Sequence, residues 1–284
     1  MAISRAQLVK ELEPGLNALF GLEYKRYENQ HAEIYTVESS DRAFEEEVML
    51  SGFANAEVKA EGSGVSFDEA QETYTARYTH DTIALAFAIT EEAIEDNLYD
   101  RLASRYTKAL ARSMSNAKQV KAAAPLNNGL SSIATFKAGD TVSLFSTNHT
   151  TVSGTAVKNT LTTQADLNET SLEQGLIDIA GMTDERGLRV AARGMKMIVP
   201  SANQFAAERL LKSQGRTGTA DNDINAVVSM GMIPQGYRVN NFLTDTDSWY
   251  IVTDVPNGMK MFQRATASAG LTGVVSSDHQ VRNK

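Results

Sequence analysis

Residues 89–125 read ITEEAIEDNLYDRLASRYTKALARSMSNAKQVKAAAP, and this stretch decides what kind of chain it belongs to. Thr90 stands where an N-cap belongs, Glu91, Glu92, Glu95 and Asp96 fill the first turns, and Lys118 and Lys121 lie near the far end. Acids at the start and bases at the end both complement the helix macrodipole. Nothing interrupts the pattern before Pro125, where the missing N–H and the ring should stop it. A helix from Glu91 to Ala123 would span about 50 Å at ~1.5 Å per residue, far beyond the average of about 11–12 residues. Its apolar stripe, Ile94, Leu98, Leu102, Tyr106, Ala109, Leu110, Ser113 and Met114, is narrow. That pattern predicts a strut lying across a sheet, not a helix buried all round.

Upstream of the helix the signal is β. Ala43 to Phe53 and Glu57 to Val65 read as strands, and Glu61-Gly62-Ser63-Gly64 has the glycines of a hairpin tip. From Thr73 to Ile89 the residues alternate, with Thr73, Thr75, Arg77, Thr79 and Asp81 on one side and Tyr74, Ala76, Tyr78 and His80 on the other. Ordinary strands have about 5–6 residues, so this is a long polar ribbon with no apolar face of its own, expected to project and pack on another chain. At the N-terminus, Ser4 and Gln7 have capping-box spacing ahead of a short helix that should break near Pro14-Gly15, with a second from Pro14 toward Tyr24. So short a helix must lie on something, its own body or a neighbour.

Downstream, after Asn127-Asn128-Gly129, a more compact region follows. Thr170 and Glu173 form a capping box for a helix through Leu172, Leu176 and Ile179 that stops at Gly181. A charged loop, Thr183 to Gly187, precedes a buried strand from Met195 to Val199, and Ser201 with Gln204 caps a helix through Leu211. Gly215 to Asn222 reads as a loop. Beyond the apolar segment Ile224 to Met232, strands are expected at Tyr237–Leu243, Trp249–Thr253 and Met259–Arg264, with Pro256-Asn257-Gly258 turning between the last two.

The chain has 284 residues, room for one large or two modest domains. Its longest apolar run, Ile83 to Ile89, is far short of the ~20 residues of a membrane span, and no signal peptide is visible, so maturation in cytoplasm is expected. Cys is 0, which removes disulfides, thiolate nucleophiles and cysteine-based metal sites. A net charge of −8 argues against a dedicated nucleic-acid reader. The charge is unevenly spread: Arg42 to Asp100 holds 14 acids against 3 bases, and Arg101 to Lys137 holds seven bases and no acid. These blocks are either two solvated faces of one molecule or complementary faces of neighbouring copies.

Catalytic motifs are absent. Gly62-Ser63-Gly64 lacks the downstream Gly-Lys-Ser/Thr of a phosphate loop, and His31, His80, His149 and His279 show no metal-ligand spacing. No Gly-x-Ser-x-Gly elbow supports a triad, and Asp184-Glu185-Arg186 reads as a solvated ion pair. Asn148-His149-Thr150 and Asn168-Glu169-Thr170 match a glycosylation sequon, which carries no weight without a secretory signal. The expectation is a non-enzyme with no catalytic, cofactor or metal site.

Several separated segments then carry a resemblance: Ile89-Thr90-Glu91-Glu92-Ala93-Ile94-Glu95-Asp96-Asn97, the basic helix ending at Asn127-Asn128-Gly129, Asp184-Glu185-Arg186-Gly187, Gly218-Thr219-Ala220-Asp221-Asn222-Asp223-Ile224-Asn225, and Thr244-Asp245-Thr246-Asp247-Ser248-Trp249. In this order, from about Ala43 to Arg264, they resemble a tailed-bacteriophage major capsid protein of the Hong Kong 97 phage type. The resemblance implies an α+β fold with an N-terminal arm (1–41), an extended β-hairpin loop (42–89), a spine helix opening the peripheral domain (90–137), an axial domain (138–250) and return strands of the peripheral domain (251–284). It implies pentamers and hexamers closing into an icosahedral head around double-stranded DNA, which a chain of net charge −8 should hold weakly and without sequence preference. A separate scaffolding protein, a portal and a decoration protein are the other partners expected, with no cofactor and no membrane. Localisation would be the virion, assembled in the bacterial host cytoplasm. The chain lacks the aromatic and Arg-containing strand with which the family commonly continues, so its last peripheral strand should be absent or differently built. Only about forty residues precede the loop, so Met1 is expected to survive in the mature shell. Lys59 lies where some members crosslink and is read as a plain surface lysine. An encapsulin-like compartment storing an enzyme cargo is the alternative, and a hydrolase with a non-standard site the third. Contacts between copies are expected to join Glu45, Glu46, Glu47, Glu57 and Glu61 of the ribbon to Arg101, Arg105, Lys108 and Arg112 of a neighbour's helix.

Overall fold

The computed structural model describes residues 5–87, 99–133, 136–216, 223–256, 258–265 and 278–283; for 5–14, 99–102 and 278–283 it describes the backbone alone. In chain order the elements are α1 (Arg5–Arg26), β1 (Thr36–Ser39), β2 (Phe44–Leu50), β3 (Glu72–Ile83), α2 (Tyr99–Asn127), β4 (His149–Thr150), β5 (Ala156–Val157), α3 (Glu169–Ala180), β6 (Gly194–Val199), α4 (Gln204–Lys212), α5 (Ala226–Ser229), β7 (Tyr237–Val239), β8 (Tyr250–Thr253), β9 (Lys260–Gln263) and β10 (Asp278–Asn283). The caps predicted at Ser4 and Thr90, the acids Glu91 to Asp96, the side chain of Arg101, the segment Gly218–Asn222 and the turn residue Asn257 lie outside the described residues.

Two compact units divide the chain. The first comprises Met1–Phe44, Thr79–Ala123 and Lys260–Arg282. Here α1 runs unbroken through Pro14-Gly15, so the predicted pair of short helices is one. A helix-interior proline costs about 3 kcal/mol, and packing offsets it: Phe20 is buried against Leu110, Ala111 and Met114, with Tyr24, Ile83 and Phe87 around them. The buried face of α2 differs in part from the predicted stripe: Leu110 and Met114 are buried as expected, and the side chains of Ile94, Leu98 and Leu102 lie outside the described residues. Tyr106, Ala109 and Ser113 face solvent, while Ala103, Thr107, Leu110, Ala111, Met114, Ser115, Lys118, Gln119, Ala122 and Ala123 are buried. Small residues let neighbouring backbone come close. The Gln119 side chain takes the His31 N–H at 3.1 Å and meets its ring Nδ1 at 3.0 Å, and the Tyr35 hydroxyl donates to the Ala122 carbonyl at 2.7 Å. Burial raises the Tyr35 pKa. A parallel β1–β9 pair, which hydrophobic periodicity did not signal, closes this unit.

The second unit comprises Glu45–Tyr78, Ala124–Met259 and Asn283–Lys284. Its core is a three-stranded sheet in the order β7-β6-β8, with β6 parallel to β7 and antiparallel to β8. Leu172 and Leu176 of α3, Met197 and Val199 of β6, Ala207 and Leu210 of α4, Val227 of α5 and Ile233 form one buried cluster. The α3 capping box is made by Asn168 and Ser171, two residues before the predicted Thr170–Glu173 box. Asn accepts at an N-cap as well as Thr does, and Ser171 returns the bond to the Asn168 N–H. Gly181 ends the helix as predicted. Ser201 opens a short 3-10 turn and makes no capping box with Gln204. The strand predicted to reach Leu243 stops at Val239, and Asn240 then turns the chain by accepting the Phe242 N–H. Gly194 sits where a Cβ would press on Leu176 and Ile251, so α3 closes tightly on the sheet.

The α2 helix passes Pro125 and ends at Asn127. Pro125 falls in the last turn, where one lost hydrogen bond does not stop the chain. The Asn127 amide bridges the Phe242 carbonyl and the Thr244 N–H, both at 3.0 Å, and a Cβ at Gly129 would overlap the Phe145 ring. Phe145 in turn lies 5.3 Å from the Tyr250 ring, centroid to centroid. Met197→Ala should lower the unfolding free energy by about 2–5 kcal/mol through a cavity at the centre of this cluster, as measured by denaturant unfolding; a loss below about 1 kcal/mol would mean the core collapses to fill it.

Candidate functional site

The region that the sequence singles out for contact is the ribbon. The middle strand of the sheet β10-β3-β2 is β3. Glu46 meets Arg77, the Thr73 hydroxyl donates to the Met49 carbonyl and Ser51 meets Gln71, so β2 and β3 run antiparallel. From Tyr74 to His80 burial along β3 follows the predicted alternation: Tyr74, Ala76, Tyr78 and His80 are covered or half-covered, whereas Thr75, Arg77 and Thr79 are exposed; Thr73 and Asp81, predicted for the open side, are half-covered instead. The strand is shorter than expected and ends at Ile83.

Between the strands, residues 52–70 are exposed throughout and form no strand, so the strand predicted over Glu57 to Val65 is absent. Only the tip behaves as predicted: Gly62 takes a positive φ of 82°, and Ser63 bonds back to the Ala60 carbonyl at 3.2 Å. The segment before the polar strand carries exposed apolar side chains that its sequence reading did not single out. Val58 is 100% and Phe67 97% exposed, and Leu50, Phe53 and Val65 stand out in the same segment. Alternation in β2 turns Phe44, Glu46, Val48 and Leu50 to one open face.

The base of this loop is closely bonded. Ser51 is buried, its N–H donates to the Gln71 carbonyl at 2.8 Å, and its hydroxyl accepts the Gln71 N–H at 2.9 Å. The Asp68 carboxylate accepts the Ala54 N–H at 2.7 Å and the Glu69 N–H at 2.9 Å. The Ala54 bond, with help from Glu69 and the Arg186 charge, holds the Asp68 pKa below its ordinary 3.8. Arg186 reaches both legs of the loop, donating from Nε to the Gly52 carbonyl at 3.1 Å and from Nη2 to the Glu69 carbonyl. Asp184 and Glu185, weighed as a paired-carboxylate site, are engaged by backbone: Asp184 takes the N–H groups of Arg186 and Leu188, and Glu185 takes that of Val152.

A second support lies under Tyr74. A Cβ at Gly139 would overlap the Tyr74 ring, so the ring rests directly on backbone. Burial raises the Tyr74 pKa, and the charges of Glu185 and Asp140 add to the shift. Asp140 also pairs with His149 at 2.7 Å, both side chains being largely covered.

The expected contact residues divide as follows. Glu46 is exposed but paired with Arg77 of its own chain at 2.6 Å, and the Tyr78 hydroxyl donates to Glu47 at 3.1 Å. Glu45 is half-buried, and Glu57 and Glu61 stand exposed on the loop. In the other unit, Arg105, Lys108 and Arg112 share one exposed face of α2 at helical spacing. The basic block is not one surface: Lys118 is buried, with Nζ 3.4 Å from Gln263 Oε1, and Lys121 pairs with Asp81 at 3.1 Å. Among the described residues no group of three metal-ligating side chains converges, and no described helix is long and apolar enough to cross a membrane.

Residues 73–277 match the family described as phage capsid protein. The chain has the fold of the bacteriophage JBD30 capsid subunit, at 13% identity, covering 75% of this chain and 90% of that one with a TM-score of 0.57. The same subunit in the JBD30 procapsid is 15% identical over 85% of this chain and 100% of that one, with a TM-score of 0.55. In the JBD30 capsid decorated with minor capsid protein trimers it is 13% identical, over 77% and 92%, with a TM-score of 0.57. No curated protein matches the sequence.

Gly139→Val should displace Tyr74 and cost about 1–3 kcal/mol, with part recovered in the Gly139→Val/Tyr74→Ala double variant; two costs that simply add would show that the ring does not rest there. Because the Asp68 pKa is depressed, its bonds are complete above the ordinary aspartate range of about 3.9 and are lost as pH falls through the lower folded value. The Ala54 amide proton resonance of the unassembled protomer should therefore hold steady from neutral pH to about 4 and shift only below it. A midpoint above that range would contradict this.

Proposed function

The chain belongs to the phage capsid protein family, as the resemblance of its sequence to tailed-bacteriophage major capsid proteins implies, and we propose that it is the major capsid subunit of a tailed phage. On this reading it assembles as pentamers and hexamers into an icosahedral head around double-stranded DNA. The observation that carries the proposal, beyond the family, is the uncovered loop of residues 52–70. Val58 and Phe67 are almost wholly exposed in the isolated chain. Burying such side chains is worth about 1.5–3 kcal/mol each, and a neighbouring copy is the surface that a shell supplies to every loop at once.

The parts take the corresponding roles. Residues 1–41 act as the N-terminal arm, 42–89 as the extended loop, 90–137 as the spine helix with the start of the peripheral domain, 138–250 as the axial domain, and 251–284 as the peripheral return. Glu45, Glu46, Glu47, Glu57 and Glu61 approach a neighbour's Arg101, Arg105, Lys108 and Arg112, Glu46 and Glu47 while also held by Arg77 and Tyr78 of their own chain. Each exposed pair is worth only about 0–1 kcal/mol, and a shell repeats the pair in every subunit. DNA is held weakly and without sequence preference, since a chain of net charge −8 repels phosphate except near the basic helix. A separate scaffolding protein, a portal and a decoration protein complete the head, in the virion and in the host cytoplasm where it forms. The role is structural and requires no catalytic group.

Electron microscopy of the purified protein should show pentamers, hexamers or closed shells, whose yield falls as salt rises. Glu45, Glu46 and Glu47 replaced together by Lys should block or misdirect assembly without changing the circular dichroism spectrum. A stable monomer at high concentration would overturn the shell reading. Normal shells from the triple variant at low and high salt would leave apolar and backbone contacts as the main glue. Shells filled with a protein cargo and no DNA would favour the compartment alternative.

A further inference from the structure

We propose that Arg186 is the positioning residue that aims the extended loop at its neighbour, by stapling the two legs of the loop to the rigid turn that carries it. The inference rests on the shell reading above and adds to it the device that sets the direction of the contact.

The turn is held from several sides. Asp184 accepts the Arg186 and Leu188 N–H groups at 2.9 and 2.8 Å, and its own N–H donates to the Leu188 carbonyl at 2.8 Å. Gly187 supplies the positive φ, 84°, that closes the turn, and Thr183 bridges to Arg189. Glu185 fastens the turn to the next loop through the Val152 N–H at 3.2 Å. The Arg186 side chain is only 16% exposed, although the legs it reaches are themselves open to solvent. Its planar fork donates to Gly52 on the outgoing leg and Glu69 on the returning one, and Asp68 lies 3.8 Å from Nη2. A lysine ammonium is a single point donor and cannot span both carbonyls in a fixed plane.

Beyond this staple the loop has little to hold it. The Ala54–Asp68 bond lies just above, and from Asn55 to Phe67 the bonds among the described residues are those of the tip turn, Ser63 to Ala60. Some nine residues separate the staple from the tip, a reach of up to about 30 Å. Over that reach a change of about 20° in mean direction at the base moves the mean tip position by about 10 Å, so the bonded groups at the base are the ones placed to set the loop's mean direction.

The chain has no cysteine, so spin labels can be placed at will. Val58→Cys on the loop and Ile177→Cys on α3, both exposed, form a labelled pair within one unit. In unassembled protomers, double electron–electron resonance should give one distance distribution, at least doubled in width by Arg186→Ala and also broadened by Arg186→Lys. The thermal unfolding midpoint should change little, because the staple lies outside the core. Shell assembly by Arg186→Ala should slow at least tenfold or yield irregular particles. An unchanged width in both variants overturns the staple, and a broadened loop with normal assembly overturns the aiming role. Should Arg186→Ala fail to fold, Arg186→Lys decides both points. If the unsubstituted protein forms no shells, the shell reading fails, whereas the width comparison still reports on the staple.

Discussion

The Arg186 guanidinium donates to the carbonyls of Gly52 and Glu69, one on each leg of the exposed segment, and the bonds at the base of that segment are arranged around it. Residues 52–70 have no ladder hydrogen bonds and no core of their own, so their entropy is restrained only where the legs meet the body. Ser51 and Gln71 exchange bonds, Asp68 takes two N–H groups, and the arginine is in turn held by a turn whose carboxylates are occupied by backbone. An exposed loop thus springs from a closely bonded base.

The two compact units solve different packing problems. In the second, apolar side chains of three helices cover a small sheet whose central strand is buried at Met197, Ile198 and Val199. This is ordinary layer packing, driven by area removed from water. In the first, α2 buries alanines, Thr107, Ser115, Lys118 and Gln119. Its stability draws on close backbone approach and on polar groups that find partners, such as Gln119 with His31 and Tyr35 with the Ala122 carbonyl. The charges follow the same economy. Lys121 and Asp81 satisfy each other, as do Arg77 and Glu46, which leaves Arg105, Lys108 and Arg112 as the outward basic face of the helix.

Much of this was legible before any coordinates. The long helix, the alternating strand from Glu72, the tip glycine at 62, the Gly181 stop and the buried Met195–Val199 strand are all local: each rests on dihedral preference or on periodicity over a few residues. Departures occur where a distant group intervened. The break at Pro14-Gly15 was overridden because Phe20 packs on α2, and the stripe on that helix, right at Leu110 and Met114, missed the small and polar residues Ala103, Thr107, Ala111 and Ser115 that share the buried face. The parallel partner of Thr36–Ser39 lies more than two hundred residues away, beyond the reach of any window.

The sequence by itself determined the class of chain: its mixed helices and strands, its lack of cysteine and of catalytic motifs, its two opposed charge blocks and its family, through motifs spread along most of its length. Only the tertiary structure decided which of those charges are already spent within the protomer and which carbonyls Arg186 of the Asp184-Glu185-Arg186-Gly187 turn reaches. The reason is physical. Periodicity and capping are written in neighbouring residues, whereas a staple joins Gly52, Glu69 and Arg186 across more than a hundred positions of chain, and three carbonyl and guanidinium groups of that kind leave no pattern until folding brings them together.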